Sequence, residues 1–425
     1  MNNLHQRNCG EIFNSYWKSS SDKGESLGYI AIVITSLIIA LYFPMASYVL
    51  IKIVIFSLSR MNNNIVKRPR RYFSLDLFPS PTKKIENKII IEIITNGKNV
   101  DSTLSIIKKI LSYKLGIRIF VLTEEYDDFD YGVSTIKVPK DYRTPHNSKK
   151  KSRALQYGIG WLHAMGYGND TYILHLDDDS YVGQDYIEYI QSSMESVLGQ
   201  GSIKLRDYKE NNLTALIDTV RVSTCKIHCG TNNIRNKPLF VHGEGIVIRA
   251  DAEYEIGWDN GLAGAEDLIM GCAMSKSYWV DHIPFDIYIN PPTNLKDLFT
   301  QRGRWLSHIF AAKKVLYRMN PSIPLFYNLL YFWGISGIIA EFLWIYNVAI
   351  GITLNPIIFA FSIVNLTSIG LNYEIGAIYT DKKYALIMPL IFLFLGLIEN
   401  LTTLYALFRR QDPNDFKVIY KRPVS

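Results

Sequence analysis

The chain has 425 residues, more than one ordinary domain, and 48% of them are hydrophobic and 13% aromatic, rich for a protein living wholly in water. Its formal net charge of +7 would suit a nucleic acid, but the basic residues crowd beside apolar stretches, where anionic lipid and membrane topology account for them, so no nucleic acid is expected. Cys9, Cys225, Cys229 and Cys272 make no disulfide framework, and Cys225, His228 and Cys229 lack the fourth ligand of a structural zinc site, so they read as free thiols.

After an N-terminal tail, residues 1–26, the only charge between 27 and 59 is Lys52. Residues 27–43 alone nearly cross a bilayer core of about 30 Å. Pro44 permits a kink or a break, and one spanning helix continuing into the interface is expected. Because the run is long and no small-residue cleavage site follows it, it reads as a retained anchor rather than a secretory signal. Residues 60–84 are a basic linker carrying Arg60, Lys67, Arg68, Arg70, Arg71, Lys83 and Lys84.

Residues 85–311 contain no membrane-length run and read as the water-facing domain. The β-branched string KIIIEIIT at 88–95 predicts a strand ending at Asn96, and residues 102–111 a helix. Residues 117–123 predict a second strand ending at Glu124 and Glu125, and 134–139 a third. Residues 152–165 predict a helix, and TYILHL at 171–176 a fourth strand that ends in three aspartates. This alternation predicts an α/β domain with a parallel sheet covered on both faces, whose ligands bind beyond the carboxyl ends of the strands. Neither GxGxxG nor GxxxxGK occurs, so the usual dinucleotide and P-loop readings have no support.

Three more apolar segments follow at roughly 323–350, 352–379 and 384–408, forming a C-terminal membrane or interfacial region at 321–408 before a tail at 409–425. Glu341, Glu374 and Glu399 lie in them, and a carboxylate at that depth normally faces protein or a water-filled cavity. Basic residues after the first span and before the second place the central domain on the cytosolic side. Three further crossings would then put Arg409, Arg410, Lys417, Lys421 and Arg422 outside, so one segment is expected to lie in the interface, with the Glu374 segment the first suspect.

Asp177, Asp178 and Asp179 follow a strand, where alternate positions project two carboxylates toward one hard cation that shares its shell with substrate phosphates. An acidic turn capping the helix that begins near Gln184 explains them equally well. Glu266 and Asp267 follow GLAGA and open a buried apolar stretch; a carboxylate there takes the proton of an attacking hydroxyl, or merely caps the helix. Gln301, Arg304 and Trp305 sit on a helix running toward the membrane, where a guanidinium meets a leaving diphosphate and an indole a sugar face, or where a basic aromatic helix simply anchors. Lys149, Lys150, Lys151 and Arg153 open a helix suited to phosphate, or form a solvated charge run. His242, Gly243, Glu244 and Gly245 form a small turn that lets a ligand approach the backbone, or a plain hairpin.

In this order and spacing the strings resemble family 2 glycosyltransferases over roughly residues 88–311, in the membrane-bound branch with cellulose and hyaluronan synthases. VPKDYRT, KSRALQYG, LHLDDDS, DNGLAGAED and DLFTQRGRWL look most like β-1,4-mannosyltransferases of the egghead type. The resemblance implies a Rossmann-like GT-A domain for nucleotide-sugars and an inverting transfer. It implies that Asp177 and Asp179 hold Mg2+ or Mn2+ and that Asp267, beside Glu266, is the catalytic base. It assigns donor contacts to Thr95, Asn96, Glu124, Glu125, Lys151, Asp178 and Arg304, and acceptor contacts to His242, Gly243, Glu244, Gly245, Gln301 and Trp305. Ala265 replaces the threonine usual before the two acids, which leaves the base in place. The implied partners are a GDP-mannose or UDP-sugar donor, a lipid or glycolipid acceptor and the membrane. A processive polysaccharide synthase and a catalytically degenerate membrane scaffold are the rival readings.

Overall fold

The computed structural model describes residues 30, 32–58, 87–235, 241–275, 277–350, 355–409 and 423, with the side chains of 210–212 and 228–235 excepted. The expected N-terminal tail, the basic linker and all but two residues of the C-terminal tail therefore lie outside the described residues, as do the side chains of His228 and Cys229.

After helix α1 (Ile32–Leu58) the domain opens with β1 (Lys88–Ile94), α2 (Val100–Ser112), β2 (Arg118–Glu124), β3 (Ser134–Val138), α3 (Lys150–Ala164) and β4 (Thr171–Asp177). These four strands lie side by side in the order β3-β2-β1-β4 and all run parallel. The isoleucines of β1 explain why both faces are covered: Ile89, Ile91 and Ile93 pack with Ile106, Ile107 and Ile110 of α2, whereas Ile90 packs with Leu155, Ile159 and Leu162 of α3. Period-two alternation in a strand buried on both sides produces this split.

The rest of the sheet departs from the all-parallel expectation. It comprises β5 (Ser180–Val182), β6 (Leu198–Leu205), β7 (Ile246–Arg249) and β8 (Val280–Ile289), and the full order is β3-β2-β1-β4-β7-β6-β8-β5. β7 runs antiparallel to β4 and to β6, β6 and β8 are parallel, and β5 is antiparallel to β8. The β4–β5 link is the two-residue turn Asp178–Asp179, too short for the crossover that a parallel neighbour needs. The sheet is thus mixed, and the acids of β4 stand where its parallel half meets its antiparallel half.

The helices of this half are α4 (Gln184–Ser193), α5 (Asn212–Arg235), α6 (Ala250–Ile256) and α7 (Glu266–Met274), followed by α8 (Leu295–Met319), α9 (Ser322–Ala349), α10 (Pro356–Thr380) and α11 (Lys382–Phe408). Among the described residues four helices, α1, α9, α10 and α11, are long and apolar enough to cross a membrane. α1 passes through Pro44 as one helix. Leu386, Leu390 and Phe408 on α11 remain more than 80% exposed, as lipid-facing side chains would be. α5 joins the domain to these helices: a Cβ at Gly376 of α10 would lie 1.9 Å from the Thr219 carbonyl oxygen, so only glycine allows the two backbones to approach this closely.

Candidate active site

The carboxyl ends of β1, β2 and β4 open on one cavity of about 790 Å³. Thr95 and Asn96 after β1, Glu124 at the end of β2 and all three aspartates line it. The middle aspartate is tied back, since its Oδ2 accepts from Thr95 Oγ1 at 3.2 Å and from Asn99 Nδ2 at 3.1 Å. Asp177 Oδ1 instead accepts from Lys151 Nζ at 2.5 Å, and that ammonium also lies 3.7 Å from Glu266 Oε1. Glu124 receives Arg153 Nη2. Glu125 does not join them; its Oε2 accepts the Lys140 backbone N–H at 2.7 Å on the surface, because adjacent residues of an extended chain face opposite ways.

Helix α7 carries the next two acids. Its cap residue Ala265 adopts a left-handed backbone, φ 58°, which turns the chain sharply and brings Glu266 and Asp267 into the cavity wall. Everything after them on α7 is apolar and buried except Ala273, so the helix is held like a core element while its first turn faces the site. Burial and the neighbouring Glu266 and Glu244 push the Asp267 carboxyl up to about 7, with Lys151 pulling the other way. Burial opposes the charge on Lys151, yet Asp177, Glu266 and Asp267 hold its ammonium well above the usual lysine range.

Gly243 is placed where a side chain would crowd the acids: its Cβ would lie 3.3 Å from both Asp267 Oδ2 and Lys151 Nζ. His242, Gly243 and Glu244 line the cavity, but Gly245 lies behind it, donating its N–H to the His175 carbonyl. His242 is turned to protein, with Nε2 3.2 Å from Cys225 Sγ and Nδ1 3.0 Å from the Glu244 carbonyl oxygen. Glu244 pairs with Arg221; against the burial that opposes ionisation, Arg221 and His242 hold its carboxyl down to about 2.

From α8, Gln301, Arg304 and Trp305 reach the same cavity. Burial lowers the Arg304 guanidinium below its ordinary value, while Asp177, Asp179, Glu266 and Glu244 all pull it back toward charge, which shows that it faces the acids. Trp305 has its indole between two guanidiniums, Arg221 at 4.8 Å and Arg302 at 4.6 Å from the ring centroid. Sequence reasoning missed both arginines. Arg302 donates to Asp218 of α5 and to Glu399 of α11, each at 2.6 Å, and to Gln301 at 2.9 Å. The signal available was Glu399 itself, a carboxylate in an apolar segment that demands a protein partner.

Asp177, Asp179, Glu266 and Asp267 share the wall with Lys151 and Arg304, so carboxylates outnumber the cations facing them. Among the described residues no three carboxylate, imidazole or thiolate groups converge as a complete metal-ligand set. An excess of carboxylate oxygen without a full cage fits a hard divalent ion that takes one or two protein carboxylates and completes its shell with phosphate and water. Beyond these groups the cavity continues between α9, α10 and α11, past Tyr331, Trp333, Asn372, Tyr373 and Asn400.

The profile of glycosyl transferase family group 2 matches residues 172–398. The chain is 33% identical over 190 residues to β-1,4-mannosyltransferase egh of Drosophila melanogaster, covering 42% of this chain and 40% of that one. To β-1,4-mannosyltransferase bre-3 of Caenorhabditis elegans it is 31% identical over 186 residues, 42% of this chain and 41% of the other. The match therefore spans about two fifths of these relatives' own length. Among solved structures, the mannosyltransferase PcManGT from Pyrobaculum calidifontis, in complex with GDP-Man and Mn2+, aligns at 14% identity with a TM-score of 0.49, covering 86% of this chain and 99% of that one. The family profile runs unbroken from β4, through the acids of α7 and the arginines of α8, into α11, and by that match the protein, a GT-A-type domain carried by apolar helices, belongs to glycosyl transferase family group 2.

Proposed function

We propose that the protein is an inverting mannosyltransferase that moves mannose from GDP-mannose, in β-linkage, to a lipid-linked or glycolipid acceptor at the cytosolic face of a membrane. The observation that carries this reading is the continuity of one cavity, from the strand ends with Asn96 and Glu124, past the acids, to Tyr331 and Asn400 among the apolar helices. A donor from water and an acceptor anchored in a bilayer then meet at Asp267. The β-1,4-mannosyltransferase names of the sequence relatives support the choice of sugar.

In this mechanism the acceptor hydroxyl oxygen attacks the anomeric carbon of the donor as its proton passes to an Asp267 oxygen, and the bond from that carbon to the diphosphate oxygen breaks with inversion. Glu266 beside Asp267 and the burial of both favour uptake of the proton. Arg304 neutralises charge gathering on the departing diphosphate, and Lys151 holds Asp177 and Glu266 in register. Asp177 and Asp179 are the residues that would hold Mg2+ or Mn2+, which when bound stabilises the diphosphate as a Lewis acid. Thr95, Asn96, Glu124 and Asp178 line the donor end, and Gly243, Gln301 and Trp305 the acceptor end.

Membranes containing the protein, supplied with radiolabelled GDP-mannose and lipid extract, are expected to yield a mannosylated lipid carrying one added residue. Transfer only from UDP-sugars would reject the donor, and a long polymer would favour the processive alternative. Calorimetry with Mn2+ and GDP should show nucleotide affinity that depends on the metal and is lost in Asp179→Asn; a degenerate scaffold would show none.

A further inference from the structure

Two segments far apart in sequence deliver the groups that meet at Asp177: residues 144–149 lead into α3 and Lys151, and residues 259–265 lead into α7 and its acids. Asp259 ties them together. Its Oδ1 accepts from Thr144 Oγ1 at 2.7 Å and Ser148 Oγ at 2.8 Å, while Oδ2 accepts the His146 backbone N–H at 2.7 Å and lies 3.0 Å from His146 Nδ1. The joint is doubled by backbone: Gly261 N–H donates to Ser148 Oγ at 2.8 Å and Lys149 N–H to the Leu262 carbonyl at 3.1 Å. The Asp259 side chain is only 11% exposed, so all this polarity is spent inside the joint. Two residues past the joint, Lys151 meets Asp177 and Glu266.

We propose that Asp259 is a positioning residue, which fixes the start of α3 against the start of α7 and so sets Lys151 between Asp177 and Glu266. It touches no substrate; it acts through Lys151, and this rests on the reading of α7 as the catalytic edge. The string DNGLAGAED, two carboxylates spaced about a tight loop, is then one device: the first acid locks the loop and the last does the chemistry.

The full-length protein in detergent is treated with an amine-acylating reagent, and labelling at Lys151 is quantified by peptide mass spectrometry against Lys88, whose side chain is 70% exposed. Wild-type Lys151 is expected to label slowly; in Asp259→Ala it labels severalfold faster while Lys88 is unchanged, and Asp259→Asn, which keeps one acceptor oxygen, falls between. Gln156→Ala serves as control, since Gln156 Oε1 accepts the Trp258 N–H at 2.6 Å from the same loop without reaching residues 144–149; it should lower stability but leave Lys151 protected. In kcat/KM, Asp259→Ala is expected to lose roughly 10²-fold, as a group displaced by about 1 Å can, and the double variant with Lys151→Met should be no worse than Lys151→Met alone. Protected Lys151 in folded Asp259→Ala and Asp259→Asn, or additive losses in the cycle, would overturn the proposal. Failure of the wild type to use GDP-mannose would count against the donor reading alone, because the labelling result does not depend on turnover.

Discussion

Lys151 and Asp177 form a buried ion pair, Nζ to Oδ1 2.5 Å, across the point where the parallel half of the sheet meets the antiparallel half. The same ammonium reaches Glu266 on α7, so one cation joins a strand end to a helix start. This arrangement gathers carboxylates that would otherwise repel one another, and it leaves Asp267 with a raised affinity for a proton.

A pH profile follows from that affinity. A base held at about 7 is half protonated near neutrality, so the rate is expected to climb as pH rises through about 7 and to level off above it. Asp267→Asn should lose roughly 10²–10⁴-fold and show no such limb. An acidic limb near the ordinary carboxylate value of 3.8, measured in the wild type under saturating acceptor, would remove Asp267 from the role.

Beneath the site, His175 of β4 lies between two glutamates, Nδ1 2.9 Å from Glu92 and Nε2 3.0 Å from Glu253, all three buried. Burial alone would lower its imidazole, but the two carboxylates raise it to about 10. Because the folded value exceeds the ordinary 6.5, the stabilisation is complete below about 6.5 and is lost as pH rises through about 10. His175→Ala strands two buried carboxylates and is expected to cost about 3–5 kcal/mol at pH 7. The gap in melting temperature between wild type and variant should shrink as the measurement moves toward pH 10; a constant gap would contradict the ion-pair account.

Much of this site can be read along the chain because β4 is a simple signal: an apolar run, TYILHL, that stops at charge. The same holds for β1 with Asn96 and for the acids before the buried LIMGCAM stretch. Glu124 and Glu125 were inseparable, since which of two neighbours faces the cavity depends on register against β3. The antiparallel half was hidden for related reasons. β5 has three residues, and β6 carries two glycines and no alternation, its burial supplied by neighbours rather than by its own pattern. The Arg221–Trp305–Arg302 stack joins α5 to α8, and Arg302 further ties α8 to α11; no local pattern encodes such a meeting.

Arg302 links the catalytic edge to the membrane helices through Asp218 and Glu399. Both partners lie in surroundings poor in water, so removing the guanidinium leaves two carboxylates without compensation. Arg302→Met is expected to destabilise the protein by about 3–5 kcal/mol in a detergent thermal-shift assay. Arg302→Met combined with Asp218→Asn and Glu399→Gln should recover much of the loss, because the stranded charges go with it. A triple variant no more stable than the single would show that the ion pairs are not the cause.

The part of the cavity among the membrane helices can be tested by filling it. A Cβ at Gly334 of α9 would lie 2.5 Å from Asn400 Oδ1 of α11, so the missing side chain keeps that wall open. Gly334→Leu is expected to raise the acceptor KM or abolish transfer, while the affinity for Mn2+ and GDP at the strand ends stays at the wild-type value. The smaller Gly334→Ala should give an intermediate effect, since the Asn400 amide can rotate away from one methyl group at modest cost. If the acceptor reaches Asp267 from water instead of through the helices, both variants will keep the wild-type acceptor KM, and the continuity of the cavity will have no part in the transfer.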